Sequence, residues 1–344
     1  MEFSTDYSPH TALPHDVSLV MRRVLFALIP GTVCAWWFFG VGILVNIVLC
    51  IATALAVEAA ILKLRSRPVF VSLQDGSALV TGALLGLALA PFAPWWIAVL
   101  GTTFAIAVAK HLYGGLGFNP FNPAMAGYVI LIVSFPMEMT LWGQPQGPLQ
   151  HDITVMETLG LMFRGRLPEH ITLDALSMAT PLDTVKTQLG MDQTLAEIQT
   201  NPLFGNFGGT GWEWINFWFL IGGLWLLRRR VIYWQIPVGM LGALFAIAFL
   251  FYLSDPDTYP SPLFHWFSGA AMVAAFFIAT DPVSAATTNR GRLIYGAGIG
   301  IIVYVIRTWG GYPEGVAFGV LLMNMVAPTI DYCSRPRAFG HTRK

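Results

Sequence analysis

The sequence predicts an all-α polytopic membrane protein: about ten transmembrane helices, arranged as two inverted five-helix repeats with a large periplasmic loop between them. Three observations carry that expectation. Of 344 residues, 55% are hydrophobic and only 11% charged, against roughly 25% charged in a soluble domain. The apolar residues gather in runs close to the ~20 needed to cross a bilayer. When the runs are counted as ten, the basic residues sort by side of the membrane, and motifs recur in the two halves at matching spacing.

In order, the first run is Val24–Phe39, preceded by Arg22-Arg23 and ending in an aromatic group. Val41–Leu62 follows and closes in Lys63, Arg65 and Arg67. Ser77–Ala90 is short for a crossing and stops at Pro91, which predicts a kinked or broken helix. Trp95–Tyr113, with Lys110 near its end, and Ala124–Leu141 complete the first half. A polar interval, 142–211, separates the halves. Then come Trp214–Leu227, closed by Arg228-Arg229-Arg230, Ile232–Leu253, Phe264–Thr280, Leu293–Arg307 and Val316–Ile330. The segments are thus an N-terminal stretch (1–20), a first repeat (21–141), the loop (142–211), a second repeat (212–332) and a tail (333–344).

With the N-terminus inside, ten crossings put fifteen of the nineteen Lys and Arg residues on one side. Only Arg164, Arg166, Lys186 and Arg307 fall on the other, and removing any one span destroys the bias. Both termini are then cytoplasmic and the loop faces the periplasm of a bacterial inner membrane. No removable signal peptide is evident. Cys34, Cys50 and Cys333 are too scattered for a disulfide framework or an iron–sulfur centre, and the first two read as apolar packing residues. Trp95, Trp96, Trp212, Trp214 and Trp309 read as interfacial belts.

Ser77 and Pro91 match Ser268 and Pro282 in spacing. The span after each ends in a glycine pair, Gly114-Gly115 and Gly310-Gly311. Five crossings per half is an odd number, so the repeats lie in opposite orientations, an arrangement that keeps a site near the bilayer midplane.

The residues that carry chemistry are few. In Asn119-Pro-Phe-Asn122-Pro, two X-Pro units break any helix, and irregular backbone at membrane depth needs protein or a water-filled cavity around it. The amides of Asn119 and Asn122 either cap broken helices or bond a ligand. Ionisable groups at depth are Glu58 and Asp281, candidates for an ion path. Alternatively Glu58 reaches toward Lys63, and Asp281 satisfies amides freed at a helix break. Thr180 and Ser177 lie in the polar interval before a short helix expected at Leu182–Leu189. Taken alone, they read as turn residues. No dinucleotide fingerprint, phosphate-binding loop or nucleic-acid surface is present, so any NAD binds a partner and no nucleic acid is expected.

The stretch Asp174-Ala-Leu-Ser177-Met-Ala179-Thr180 resembles the flavinylation motif of the RnfD/NqrB family. So, over most of the chain, do Lys110-His-Leu-Tyr-Gly-Gly-Leu-Gly-Phe-Asn-Pro-Phe-Asn-Pro, Thr280-Asp-Pro-Val-Ser-Ala-Ala-Thr-Thr-Asn-Arg-Gly-Arg292 and Gly310-Gly-Tyr-Pro-Glu-Gly-Val-Ala-Phe318. One departure is Ala175, where the family often has glycine. The resemblance implies FMN esterified through its phosphate to the Thr180 hydroxyl. Asp174, Ser177 and Ala179 would then be the motif presented to a flavin transferase. It further implies a second, non-covalent flavin in the bundle, with Asn119, Asn122 and Lys110 as its candidate contacts. The chain would work in the lipid bilayer as one subunit of an ion-translocating translocase, inactive alone, beside RnfA, RnfB, RnfC, RnfE and RnfG. Electron transfer between ferredoxin and NAD would be coupled to Na+ or H+ movement. The competing classes are a cofactor-free inverted-repeat channel or transporter for a small solute, and an assembly subunit with Thr180 unmodified.

Overall fold

The computed structural model describes residues 17–145, 153–166 and 178–335, and among them the chain is helical, with a single isolated bridge between Phe204 and Gly209. The first half contains α1 (Val17–Phe39), α2 (Val41–Leu64), the short α3 (Val69–Leu73), α4 (Ser77–Ala88), α5 (Trp95–Leu112), α6 (Pro123–Ser134) and α7 (Pro136–Met139). The last eight residues of α5, Ala105–Leu112, are wound as a π-helix. The polar interval folds into α8 (Val155–Arg164), α9 (Pro181–Leu189) and α10 (Leu195–Ile198). The second half contains α11 (Trp212–Arg228), α12 (Gln235–Ser254), α13 (Pro262–Phe267), α14 (Ala271–Val273, continuing as a π-helix over Ala274–Ile278), α15 (Asn289–Trp309) and α16 (Val316–Ser334).

Each apolar run of the sequence becomes helix, but not every run becomes one long helix. Six helices, α1, α2, α5, α12, α15 and α16, are long and apolar enough to cross a membrane. The other four runs are shorter or interrupted. Leu89 turns extended, ending α4 before Pro91. Phe135 leaves helical geometry ahead of Pro136, ending α6. The run Phe264–Thr280 breaks at Ser268, which is extended, and at Gly269, whose φ of 62° is left-handed. α11 has 17 residues, about 25 Å of rise, less than a ~30 Å hydrocarbon core.

Small residues bring the long helices together. On α4, a Cβ at Gly86 would stand 2.6 Å from Ile47 Cα of α2, and one at Gly82 would stand 2.8 Å from Ile51 Cα. On α15, Gly296 and Gly300 take the same four-residue spacing, with the backbone carbonyls of Ile236 and Met240 of α12 where their Cβ atoms would be. Membrane helices have no hydrophobic drive toward one another, so such close backbone approach supplies the packing energy. Across the halves, α1 lies along α11, with Phe219 seated over Gly31.

Two basic side chains tie the interrupted segments at opposite ends of the bundle. Lys110, late in α5, donates to Ser77 Oγ at the start of α4 (2.7 Å) and to both oxygens of Glu58 in α2 (2.7 and 2.8 Å). Arg307, late in α15, donates to the carbonyls of His265 (2.6 Å) and Ser268 (3.2 Å) at the second break. Both are buried, and both touch the serine that the sequence pairs across the halves.

Candidate functional site

Thr180 is the N-cap of α9. Its backbone is extended, φ −66° and ψ 158°, because the Pro181 ring excludes helical geometry at the residue before it. Proline at the first helical position removes only an amide that had no intrahelical partner. The Thr180 Oγ1 accepts a hydrogen bond from the Asp183 amide, 3.3 Å away. Thr180 is half-buried and Ala179 exposed, so the hydroxyl sits at a surface mouth.

α9 is held to the bundle on two sides. Leu182 and Val185 pack with Leu195, Ile198 and Phe264 in a small satellite core. On the other side Lys186 Nζ donates to the carbonyl of Ile306 (3.1 Å) in the last turn of α15, and to that of Tyr312 (2.9 Å) in the loop beyond. The Asp183 carboxyl is pushed above its ordinary range by burial, an effect that the nearby Lys186 ammonium partly opposes.

Thr180 stands at a cavity of ≈190 Å³ that reaches into the bundle between the halves. Phe39, Trp142 and Trp212 form its aromatic side, with ring centroids 5.3 Å (Phe39–Trp142), 5.1 Å (Phe39–Trp212) and 5.0 Å (Trp142–Trp212) apart. Tyr128 and Glu314 also line it. Glu314 forms a paired contact with Arg307 (3.1 and 2.8 Å) and accepts the amides of Ala270 (2.9 Å), Gly315 (2.9 Å) and Val316 (3.2 Å). One carboxylate therefore fastens both the second helix break and the start of α16. Gly269, squeezed between Leu182 and the Glu314 carboxylate, has no room for a Cβ.

A flavin ring is compatible with these residues. The space exceeds the ~150 Å³ that accepts one benzene ring, enough for one end of the three-ring flavin, its walls are aromatic and apolar, and it opens at a hydroxyl. A phosphate on that hydroxyl would lie at the N-terminus of α9, where the helix dipole favours an anion.

A second cavity, ≈90 Å³, lies at the opposite end and is lined by Lys110, Asn119, Asn122 and Asp281 together with Ser77 and Leu116. Leu84 lines both cavities, and so do the neighbouring pairs Ala124/Met125 and Phe277/Ile278, so the two back onto each other across a thin apolar septum. Among the described residues, Asn119 Oδ1 is buried there without a hydrogen-bond partner, while its Nδ2 donates to the Phe121 carbonyl (3.0 Å).

Several expected site residues are therefore brought together, Asn122 and Asp281 in the capping and amide-satisfying roles open to them from the sequence, Lys110 and Glu58 in a different one. Asn122 is a cap: its Oδ1 accepts from the Met125 amide (3.2 Å) and its Nδ2 donates to the Ile278 carbonyl (3.2 Å). Lys110 offers no free amine, because Glu58 and Ser77 take its donors. Glu58 does not reach for Lys63. It turns inward to Lys110, with His111 Nε2 3.4 Å away, because a carboxylate buried at 3% exposure needs a partner as buried as itself. Asp281 accepts the Val283 amide (3.2 Å) and the Ser284 hydroxyl (2.7 Å), closing the turn after the break. Trp212, expected in an interfacial belt, lines the Thr180 cavity instead. Trp95, Trp214 and Trp309 are exposed as a belt requires. Asp174 and Ser177 lie outside the described residues. Cys34 and Cys50 are buried, as apolar packing residues should be. Trp142, Tyr128, Lys186 and Glu314 were not legible as site residues. The one signal was negative: Lys186 and Arg307 stand on the wrong side of the charge bias.

Comparison with known proteins adds the following. The profile of the NQR2, RnfD, RnfE family matches residues 4–340. A protein of Aliivibrio salmonicida is 51% identical over 350 residues, covering all of both chains, and one of Shewanella denitrificans is 52% identical over 346 residues, covering 99% of each. A third, from Pseudomonas aeruginosa, is 53% identical over 339 residues, 98% of this chain and 95% of its own. Each of the three is described as the D subunit of an ion-translocating oxidoreductase complex.

Proposed function

The chain belongs to the NQR2, RnfD, RnfE family, and from that premise we propose that it is the D subunit of an ion-translocating oxidoreductase complex, carrying FMN esterified to Thr180. Full-length identity of about half to relatives so described supports the first part. The second rests on one observation: Thr180 caps a helix at the open end of an aromatic-lined cavity, so a phosphoryl bond at its hydroxyl delivers a ring into the bundle. FMN, when bound, supplies one- and two-electron redox chemistry. The chain's own residues position it. Phe39, Trp142 and Trp212 supply aromatic walls, the N-terminus of α9 favours the phosphate, and Glu314 with Arg307 braces the part of the wall formed by Tyr312–Glu314.

The finer reading follows the same lines. The chain crosses a bacterial inner membrane ten times as two inverted five-helix repeats, with termini inside and the Thr180 loop outside. A second, non-covalent flavin at the inner cavity would need that space to widen, because its ≈90 Å³ is below the ~150 Å³ that accepts one benzene ring; the unpartnered Asn119 oxygen is the free acceptor there. RnfA, RnfB, RnfC, RnfE and RnfG supply the ferredoxin and NAD ends of the electron path and share the movement of Na+ or H+. Glu58 and Asp281, at the inner end, are the acids available to that ion path. A flavin transferase recognises Asp174, Ser177 and Ala179.

The test is a denaturing gel of the full-length protein produced with a flavin transferase. The wild-type band fluoresces and Thr180→Ala is dark. A colourless wild-type band, from cells that flavinylate other proteins, would remove covalent flavin. The two cavities and broken helices would then favour a cofactor-free channel.

A further inference from the structure

We propose that Lys186 is a positioning residue, a latch that holds the Thr180 helix against the Tyr312–Glu314 loop, which lines the same cavity. Its link to flavin chemistry rests on the reading above; the latch itself does not.

The geometry is specific. Lys186 lies six residues after Thr180, roughly 9 Å along the helix axis, so it anchors the end of α9 away from the attachment point. Its ammonium bridges two carbonyls that belong to different structures. Ile306 O lies in the last turn of α15, where it also receives the Gly310 amide (2.9 Å), and the helix dipole leaves that end negative. Tyr312 O belongs to the loop that carries Tyr312, Pro313 and Glu314 into the cavity wall. One cation therefore ties the helix that bears Thr180 to the loop that lines the same cavity.

The rest of the contact could not do this. Leu182 and Val185 pack into an apolar satellite core, and apolar contacts set distance without fixing rotation or slide. Among the described residues, no other α9 side chain makes a hydrogen bond to the membrane helices or to the loops between them. The nearby charge, Asp183, sits on the same helix and cannot tether it to anything else. Lysine here is also costly to the charge bias that governs the rest of the chain, which gives a reason for its being where it is.

Hydrogen exchange on the full-length protein, produced without a flavin transferase, tests the latch directly. Lys186→Met is expected to exchange the amides of Val185–Leu189 roughly tenfold faster than wild type, with Lys186→Arg in between, while α12 and α15 keep their protection. In flavinylated protein the same variant keeps its fluorescent band, but iodide quenches the bound FMN more strongly. Unchanged exchange in α9 would overturn the proposal. So would loss of protection throughout the bundle in Lys186→Met and in the milder Lys186→Gln, because the residue would then support the whole fold. A wild-type chain that carries no flavin would overturn the Thr180 reading and leave the exchange result standing.

Discussion

Asn122 joins three elements through its polar groups. Its side-chain oxygen caps α6, its side-chain nitrogen holds the Ile278 carbonyl of the second half, and its amide donates to Asn324 Oδ1 (3.1 Å) in α16. Asn122→Ala removes a cap worth about 1 kcal/mol and leaves a buried carbonyl unpaired at a further ~1–2 kcal/mol. Unfolding titrations in detergent should show a loss of roughly 2–3 kcal/mol. Asn122→Asp should not recover it, because an acid keeps the cap but buries a charge and loses the donor. The sequence points to capping at this residue, whose cap partner Met125 is local, but leaves ligand binding open, since the partners that take its remaining donors stand 156 and 202 positions away. Asp183 makes a pH prediction at the same scale. Burial raises its folded pKa above the ordinary value of 3.8, so the folded state favours the proton. Its favourable contribution is complete below that value and is lost as pH rises through the folded pKa. Asp183→Asn should therefore be the more stable protein at pH 8, in thermal melts, with an advantage that disappears toward about pH 4.

At the scale of elements, the helices follow from apolar periodicity and their ends from proline, but the breaks divide into two kinds. The stop after Ser77–Ala88 is written locally, in Pro91 and Pro94. The break at Ser268-Gly269 has no proline, and glycine is ordinary in membrane helices, so Phe264–Thr280 reads as one span. What opens it is tertiary. Arg307 takes the carbonyls of His265 and Ser268, and Glu314 takes the Ala270 amide, so the freed backbone groups are satisfied without a continuous helix. Close helix crossings are equally non-local. Gly300→Ala would put a methyl group against the Met240 carbonyl, and α15 must move off α12 to admit it. Such overpacking costs typically 1–3 kcal/mol, so about 2 kcal/mol is expected in the same titration. Gly242→Ala, on the facing helix in open space, should be neutral or slightly stabilising.

For the whole molecule, the distribution of cations argues topology better than the count of long helices does. Among the described residues six helices are long enough to cross; six crossings would leave both termini and the Thr180 loop where ten put them, but would move Lys110 and Arg228, Arg229 and Arg230 to the outer side. Lys63, Arg65, Arg228, Arg229, Arg230, Arg290 and Arg335 are exposed at helix ends, where cations retained on the cytoplasmic side belong. Lys186 and Arg307, assigned to the other side, are drawn inward and used by backbone carbonyls and Glu314. Their exception to the bias is therefore structural, and the ten-crossing parity keeps its support. The cysteines turn this into a measurement. Cys333 is exposed near the C-terminus while Cys34 and Cys50 are buried, so an impermeant maleimide reads a single native site. Cys333 should label in inside-out vesicles and stay unlabelled in intact right-side-out ones. A cysteine introduced by Met191→Cys, at an exposed position after α9, should show the opposite pattern. Labelling of both from one side would place Thr180 and the C-terminus on the same face. One of the short or broken segments would then have to turn back before crossing, and the two halves could no longer be inverted copies.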